Sequence, residues 1–318
     1  MTYNEKRDKF EKNNKIPIDH REVNRRTELF LNTLKVNRPG MIVWLEKGLI
    51  LKNALKNYLE EQLKKNGYFL VNTPILVDAE LLKTTKHREF YQNMMFTEMK
   101  LKKENLQFRP MSCPQHILLH QQLFKQKILP KGTPAKFGEI ALLGRNEPSG
   151  SLSGLERVRI MNLVDSHIFI NLEQDKTLLM KELNNVLNFT IKTLEKFSIK
   201  IHQITLSVKG KGKKFSILKD QEWNELEKIL NELLIINKIP FKKREGEAAF
   251  YGPKIDFEIL NSHSVLTTLA TIQIDPKLYS LVTKDKKKKI IIIHHSVCGT
   301  LERLIATILE QQQGNIPF

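Results

Sequence analysis

The sequence predicts an α+β domain built on an antiparallel β-sheet flanked by helices. Segments typical of strands and of helices are interspersed along the 318 residues. Several strand candidates are joined by tight hairpins, which favour antiparallel pairing. About 41% of the residues are apolar, which is enough for a sizeable core. These three observations together predict the fold class.

Each element in the first half is predicted from apolar spacing or from turn residues. The segment EKGLILKNALKNYLEEQLKKNGY predicts a helix, because leucines recur at helical spacing and Gly67 supplies a stop signal. YFLV then predicts a strand that ends at Pro74, which has no N–H to donate to a ladder. CPQHILLHQQLFKQKIL predicts a second helix, with Pro114 in its first turn. Residues 135–170 predict a long hairpin around the loop PSGSLSG.

The second half alternates between long helices and strands. Residues 173–198 and 219–238 predict two amphipathic helices. FYGPKIDFEIL and LTTLATIQID predict strands, and KKKKIIIIHH predicts a strand behind a basic run. GTLERLIATILEQQQ predicts the last helix. No internal repeat is visible in the sequence.

Composition limits the class of partner and the compartment. The net charge of +17 and the pI near 9.7 favour polyanionic partners such as nucleic acid or nucleotides. The alternative is a Lys-rich bias that serves solubility, because Lys, Asn and Ile are abundant throughout. The two cysteines, Cys113 and Cys298, form no CxxC pair, which argues against a disulfide framework. Without a long apolar run, we expect a cytoplasmic protein and no membrane partner.

The strand after the PSGSLSG loop places ionisable groups on one face, because side chains alternate with period two. The apolar face would carry Val158, Ile160, Asn162, Val164, Ser166 and Ile168. The other face would carry Arg157, Arg159, Met161, Leu163, Asp165 and His167. Two cations, a carboxylate and an imidazole on one side indicate a binding surface. The alternative is an ordinary solvated strand face.

Arg145 and Glu147 stand before the same loop and extend this surface. An arginine makes bidentate contacts with phosphate or carboxylate groups. A glutamate two residues on can accept hydrogen bonds from an exocyclic amine. No GxxxxGK[ST] motif occurs, so the pattern indicates nucleotide binding without a P-loop.

Longer matches then point to one enzyme family. GRNEPSGSLSGLERVR resembles motif 2 of class II aminoacyl-tRNA synthetases, and GTLER (Gly299–Arg303) resembles their motif 3. The helix and strand that end at Pro74 resemble motif 1. RNEPSGSL, MSCP, DSHIF and GEAAFYGPKIDF together resemble threonyl-tRNA synthetases. The resemblance runs from about Asp19 to the last residue.

The resemblance implies a six-stranded antiparallel sheet and an enzyme that is dimeric through motif 1. It implies that ATP, with Mg²⁺, activates threonine as an adenylate, and that threonine then passes to the 3′ acceptor end of tRNA. Catalytic roles would fall on Arg145 at the α-phosphate and carboxylate, and on Arg303. Glu147 would read the adenine amine, while Arg157 and Arg303 would bind the β- and γ-phosphates. Gln273 would approach the ribose or the substrate.

The family also binds zinc through one Cys and two His, and the matching positions are Cys113, His167 and His294. Thiolate and neutral imidazoles suit Zn²⁺, and three protein ligands leave an open position. In this family the amine and hydroxyl of threonine fill that position. A site that must ligate a hydroxyl rejects valine, which a hydrophobic pocket does poorly. We expect His295 to be an ordinary neighbour of His294.

The resemblance assigns the remaining substrate contacts to Asp165, Tyr251 and Lys254. Asp165 would accept from the threonine hydroxyl, Tyr251 would lie near the amino group, and Lys254 would lie beside the substrate.

The chain departs from the family pattern in the same region. It has RIMNLVDSH where the family usually has RGFTQDDAH. Met161 replaces a Phe that stacks on adenine, Leu163 replaces a Gln that contacts the amino acid, and Val164 replaces an Asp. Thr268 replaces another Gln of the substrate site. The loss of a buried amide partner costs ~1–3 kcal/mol of binding.

From this pattern we expect a polar N-terminal arm over residues 1–18 and a class II synthetase catalytic domain over residues 19–318. We expect anticodon-binding, editing and N-terminal domains to be absent. Three functions stay open at this point. The chain could be an active threonine–tRNA ligase core, a paralogue that makes an aminoacyl-adenylate for another acceptor, or a non-catalytic binding or regulatory module.

Overall fold

The computed structural model describes five segments of the chain: residues 18–32, 38–129, 134–172, 177–285 and 289–315. The predicted polar arm, residues 1–18, lies outside the described residues except for Ile18. Within the described segments, no helix is both long enough and apolar enough to cross a membrane.

Nine helices lie in the described segments, and the long ones coincide with the predicted amphipathic stretches. In chain order they are α1 (His20–Thr27), α2 (Glu46–Lys65), α3 (Ala79–Thr84), α4 (His87–Tyr91), α5 (Cys113–Lys125), α6 (Thr177–Lys196), α7 (Asp220–Ile236), α8 (Leu278–Thr283) and α9 (Leu301–Gln311).

The strands of the same segments form one large sheet and two small ones. In chain order they are β1 (Phe30–Leu31), β2 (Val43–Trp44), β3 (Phe69–Leu70), β4 (Leu76–Asp78), β5 (Met99–Lys100), β6 (Asn105–Phe108), β7 (Ala135–Gly144), β8 (Ile160–Asn171), β9 (Gln203–Val208), β10 (Lys242–Glu245), β11 (Lys254–Leu260), β12 (Leu266–Asp275) and β13 (Ile290–Thr300).

The large sheet has eight strands in the order β10-β9-β11-β12-β13-β8-β7-β3. The six strands from β9 to β7 pair antiparallel. The two outer strands, β10 and β3, pair parallel with their neighbours. The prediction of six antiparallel strands is therefore confirmed for the centre of the sheet. Beyond these six, each edge of the sheet carries one short strand whose parallel pairing the sequence did not predict.

The predicted hairpin forms the pair β7–β8, whose register runs from Ala135 opposite Phe169 to Gly144 opposite Ile160. The twelve residues of β8 alternate between the two faces of the sheet. Val164 and Ile168 point to the main core, whereas Asp165 and His167 lie on the opposite face. The period-two reading of this strand is confirmed from Ile160 onward.

The main core lies between one face of the large sheet and the helices α2, α6, α7 and α9. The predicted leucine stripe of α2 is buried there, with Leu59 and Leu63 fully enclosed. Because these four helices cover this face of the sheet, α5 and the surrounding loops lie on the opposite face. A second, smaller cluster of buried side chains packs on that opposite face.

The junction between β13 and α9 depends on the first two residues of GTLER. Gly299 has a φ of +72°, and a Cβ atom there would lie 2.4 Å from the carbonyl oxygen of Leu269. Only glycine fits such a backbone position without strain. Thr300 then caps the helix, since its Oγ1 accepts from the N–H of Arg303 at 3.0 Å. This turn fixes the direction in which Arg303 leaves the helix.

Candidate active site

Two rows of side chains cross the free face of the sheet, because residues paired across antiparallel strands point to the same side. The first row consists of His167 on β8, His294 on β13 and Gln273 on β12. The second row lies beside it and consists of Asp165, Ser296 and Thr271 on the same three strands. The pairing register thus gathers residues that are more than 100 positions apart in sequence.

A cavity of about 240 Å³ opens above these rows. All the predicted site residues except Lys254 line it: Cys113, Arg145, Glu147, Arg157, Asp165, His167, Tyr251, Gln273, His294 and Arg303. Lys254 lines an adjoining cavity that shares Arg145, Tyr251 and Gln273 with the first. The structure therefore brings together residues that the sequence analysis selected from five separate segments.

The arginines at one end are held mainly by backbone carbonyl oxygens. Arg145 donates from Nε to Pro110 O at 3.1 Å. Arg303 donates from Nε to Glu156 O at 2.9 Å and from Nη1 to Thr268 O at 2.7 Å. Burial lowers the pKa of Arg303 to about 10, and the nearby arginines Arg145 and Arg157 add to this shift. The guanidinium is still charged at neutral pH, so this end attracts anions.

Arg157 pairs with Glu147 across the mouth of the loop. Oε2 of the buried Glu147 carboxylate accepts from Nε of Arg157 at 2.9 Å and lies 2.8 Å from its Nη2. The two residues predicted to bind different parts of a nucleotide are therefore partners of each other in this conformation. A nucleotide that engages either side chain has to compete with, or share, this ion pair.

Arg159 does not join the surface on which the sequence pattern placed it. It donates to Glu147 O at 2.9 Å and to Ser149 Oγ at 3.0 Å, and it does not line the cavity. The reason is local geometry: β8 begins at Ile160, and residues 154–156 before it form a turn. Period-two alternation therefore does not extend back to Arg159, and that prediction was wrong.

Cys113, His167 and His294 converge at the other end of the cavity. One ligand atom from each lies within 4.8 Å of the others, and all three side chains are buried. Nε2 of His167 is 3.0 Å from Nδ1 of His294. Thiolate and imidazole are the donors that Zn²⁺ prefers, and three of them with a cavity in front match an open tetrahedral site.

The hydrogen bonds of His294 support a ligand role. Its Nε2 lies 2.9 Å from Oδ2 of Asp275, a fully buried carboxylate that can only accept. Nε2 of His294 therefore donates to this carboxylate, which leaves Nδ1 as the nitrogen that faces His167 and Cys113. Burial lowers the pKa of His167 well below its ordinary value, so the ring of His167 is neutral. The donor set fits a divalent cation.

Cys113 needs a cation to act as a thiolate here. Burial raises the pKa of its thiol well above the ordinary value, and the carboxylates of Asp165 and Asp275 raise it further. A coordinated metal ion deprotonates a thiol outright. The buried thiol next to two oriented imidazoles is thus consistent with a metal centre and unsuited to act as a free nucleophile.

The side chains between the two ends form the floor of the cavity. Asp165 accepts a hydrogen bond from Ser112, and burial raises its pKa above the ordinary value. Tyr251 donates to Oε1 of Gln273 at 2.7 Å, and its ring stacks on His294 with centroids 4.8 Å apart. In the adjoining cavity, Nζ of Lys254 donates to the carboxylate oxygens of Asp256 at 2.6 and 2.7 Å. A ligand here would meet several polar groups in fixed positions.

Three of the four departures from the family pattern also line this cavity: Met161, Leu163 and Thr268. The fourth, Val164, lies in the main core. Met161 packs into a small apolar cluster with Ala141 and Leu143. Leu163 offers no hydrogen bond where an amide was expected. The wall between the arginines and the metal ligands is therefore more apolar than the pattern implies.

Sequence reasoning missed the residues that support the histidines: His116, Glu139 and Asp275. It gave His116 no role, although its spacing of three from Cys113 places both on one helical face. Glu139 and Asp275 carry no local signal, because their partners come from distant segments. His295 behaves as predicted. It points to the core, where Oγ1 of Thr190 lies 2.8 Å from Nε2.

Comparison with known proteins agrees with this geometry. The family described as tRNA synthetase class II core domain (G, H, P, S and T) matches residues 96–312, more than half of the chain. The chain belongs to the class II tRNA synthetase core-domain family. The threonine–tRNA ligase of Mycoplasma genitalium is 37% identical over 97% of this chain and 54% of its own length. That of Mycoplasmoides gallisepticum is 38% identical over 93% of this chain and 52% of its own length.

A solved structure shows the same architecture. It is described as the RNA binding domain of threonyl-tRNA synthetase from Cryptosporidium parvum Iowa II. It superposes with a TM-score of 0.84 at 28% identity, over 95% of this chain and 74% of that one. The α+β class II fold is therefore confirmed. The synthetase-family chain described here spans about half the length of the curated relatives it matches.

Proposed function

We propose that this chain is the catalytic core of a threonine–tRNA ligase. It would activate threonine with ATP and transfer it to the 3′ acceptor end of tRNA(Thr). The observation that carries the proposal is the meeting of two sets of residues in one cavity. Arg145, Arg157 and Arg303 line one end, and the set Cys113, His167 and His294 lies at the other. An anionic nucleotide and a small ligand of the metal would thus be held side by side.

The arginine end suits the activation step. In that step the carboxylate oxygen of the amino acid forms a bond to the α-phosphorus of ATP, and the bond from that phosphorus to the β-phosphate oxygen breaks. Negative charge on the phosphates grows as pyrophosphate leaves. Arg145 and Arg303 would stabilise that charge, with Mg²⁺ on the phosphates, and Glu147 and Gln273 would orient the nucleoside. No side chain has to act as a covalent nucleophile.

The metal end suits selection of threonine. Zn²⁺ bound by the two histidines and the cysteine would act as a Lewis acid that ligates the amine and hydroxyl of the amino acid. Asp165 would accept from the hydroxyl, while Tyr251 and Lys254 would lie on the amino-group side. Valine lacks the hydroxyl, so it would leave the metal and Asp165 without their partner.

We further propose that the protein binds tRNA and forms a homodimer. The charge of +17 supports binding of tRNA through phosphate contacts. Motif 1 exposes apolar side chains: Ile50 is 64% exposed and Phe69 is 58% exposed. Such exposure on α2 and β3 supports a homodimer through this motif. We also propose that residues 19–318 form one catalytic domain and that the protein acts in the cytoplasm.

Amino-acid-dependent exchange of pyrophosphate into ATP tests the function directly. We expect a signal with threonine and none with valine, in protein supplied with zinc. Exchange with another amino acid would replace threonine by that substrate and favour a paralogue with a different acceptor. The absence of exchange with all twenty amino acids, in folded zinc-bound protein, would contradict the proposal and favour a binding role.

A further inference from the structure

We infer that Glu139, acting through His116, is a positioning residue that keeps the proton of His167 on Nδ1 and leaves Nε2 free to bind the metal. The inference rests on the zinc centre of the proposed function and adds to it a buried chain of hydrogen bonds. The chain runs from Arg109 through Glu139 and His116 to His167. Neither Glu139 nor Arg109 touches the cavity that holds the substrate-facing residues.

Every hydrogen-bond partner of the Glu139 carboxylate is a donor. Oε1 accepts from Nη2 of Arg109 at 2.8 Å and from the backbone N–H of Thr73 at 2.9 Å. Oε2 accepts from Oγ1 of Thr73 at 2.7 Å and from Nη1 of Arg109 at 3.4 Å, and it lies 3.0 Å from Nε2 of His116. Glu139 is 2% exposed and His116 is 0% exposed, so water does not compete for these contacts. The carboxylate is held in one orientation.

The direction of the next hydrogen bond follows from this arrangement. Because Glu139 can only accept, the His116 tautomer that satisfies both of its contacts has the proton on Nε2 and a lone pair on Nδ1. That Nδ1 lies 2.8 Å from Nδ1 of His167. His167 therefore carries its proton on Nδ1, and its Nε2 is left with a free lone pair. Nε2 is the nitrogen that faces His294 and Cys113.

Neighbouring elements of the fold bring these hydrogen-bonded residues together. Cys113 opens α5, and His116 follows one helical turn later, so one helix supplies both a ligand and the partner of another ligand. Glu139 on β7 pairs across the strands with Asp165 on β8, two residues before His167. A hydrogen bond of this kind orients a metal-binding imidazole, and its loss typically weakens metal binding ~10–100-fold.

Glu139→Gln is the decisive variant, because it changes one acceptor into a donor without a change of shape. The amide oxygen is retained by Arg109 and the N–H of Thr73, so the NH₂ group faces His116. His116 then has to accept on Nε2 and carry its proton on Nδ1. His167 in turn accepts on Nδ1, and its proton moves to Nε2, where it blocks the metal. We expect zinc affinity, measured by competition with a chromophoric chelator, to fall ~10–100-fold.

Glu258→Gln is the matched control. Glu258 is a buried strand carboxylate with an arginine and a threonine partner, since it accepts from Arg244 at 2.9 Å and from Thr205 at 2.5 Å. It has no connection to the histidines in the described hydrogen bonds. We expect its zinc affinity to equal that of the wild-type chain. Thermal unfolding of both variants reports any general loss of stability.

Variants of His116 test the chain of hydrogen bonds independently of the Glu139 carboxylate. In His116→Asn the side-chain oxygen takes the place of Nδ1 and accepts from His167 without help from Glu139. We expect His116→Asn to bind zinc within about threefold of wild type and to restore affinity when combined with Glu139→Gln. His116→Leu offers no acceptor, so we expect it to lose ~10–100-fold. A purely structural role would instead make the double variant weaker than either single one.

The outcomes separate the inference from the proposed function. A wild-type chain that binds no zinc would overturn the metal centre and the inference with it. A wild-type chain that binds zinc, with unchanged affinity in folded Glu139→Gln or in His116→Leu, would overturn the positioning role alone. Weakened binding in both variants and recovery in Glu139→Gln/His116→Asn would establish it.

Discussion

The two ends of the cavity satisfy their polar groups in different ways. At the end that holds Cys113, the rings of His294 and His167 are fixed by buried side-chain partners, Asp275 and His116. At the arginine end, Arg145 and Arg303 rest on backbone carbonyl oxygens and remain partly accessible. The first arrangement holds a site in one geometry. The second leaves donor groups available to a phosphate ligand.

This difference matches the demands of the two ligands. A metal centre needs lone pairs that converge on one point, and a small error in ring orientation weakens it. In the proposed reaction a nucleotide would arrive and leave in every cycle, so its arginines would have to exchange partners at little cost. The Glu147–Arg157 pair is the clearest case, because Arg157 is 46% exposed while its carboxylate partner is buried. Mutations at the two ends should therefore have different signatures.

The largest effect is expected for Arg145→Ala at the arginine end. Removal of a donor that stabilises the developing phosphate charge should lower pyrophosphate exchange by ~1000-fold, while zinc content stays unchanged. Arg159→Ala is the matched control, because Arg159 lies outside the cavity, and it should lose no more than about threefold in the same assay. Equal losses in the two variants would contradict the assignment of motif 2.

Cys113→Ser should have a smaller effect on exchange and a distinct effect on the metal end. A serine hydroxyl is a poor zinc ligand, so zinc affinity should fall by about 100-fold and bound zinc should drop below one per chain. Cys298→Ser provides the control, because Cys298 is buried in the main core away from the cavity. Zinc content measured by elemental analysis distinguishes them. An unchanged content in Cys113→Ser would refute the centre.

The smallest effect is expected for Leu163→Gln, between the two ends. An added amide could hydrogen-bond the amino acid and contribute ~1 kcal/mol, or about a fivefold lower KM for threonine. Leu142→Gln is the control, because Leu142 is 39% exposed on the neighbouring strand and lies outside the cavity. A KM that rises in Leu163→Gln would indicate that the leucine itself packs against the substrate.

The sequence predicted the residues that line the cavity better than the residues that form hydrogen bonds to them. Period-two alternation placed Asp165 and His167 on one face, since both lie well inside β8. It failed at Arg159, because the onset of a strand depends on pairing with β7 rather than on local composition. Asp275 and Glu139 were invisible for a related reason. Their roles arise only when strands distant in sequence pair, and a lone acidic residue in a strand has no pattern of its own.

The elements of the fold were also predicted best where the signal lies within the element itself. The helix α2 was predicted from its own leucine spacing, and its stripe is buried as expected. The parallel edge strands β3 and β10 were not predicted as such, because two to four residues carry too little periodicity to fix a direction. The strand β9 was missed as well. Edge strands take their direction from the sheet they join, which a single sequence does not reveal.

The adjacent histidines on β13 have a consequence for how this chain can change during evolution. His294 faces the cavity and His295 faces the core, so a single inserted or deleted residue within the paired part of β13 would exchange the faces that they occupy. With the start of the strand held in register, a deletion would bring His295 to the position beside Asp275 and His167 that His294 now occupies. An insertion would bring Ile293 there instead. The paired histidines thus let the strand lose one residue with an imidazole still at the site, whereas the gain of one residue would replace that imidazole by an aliphatic side chain.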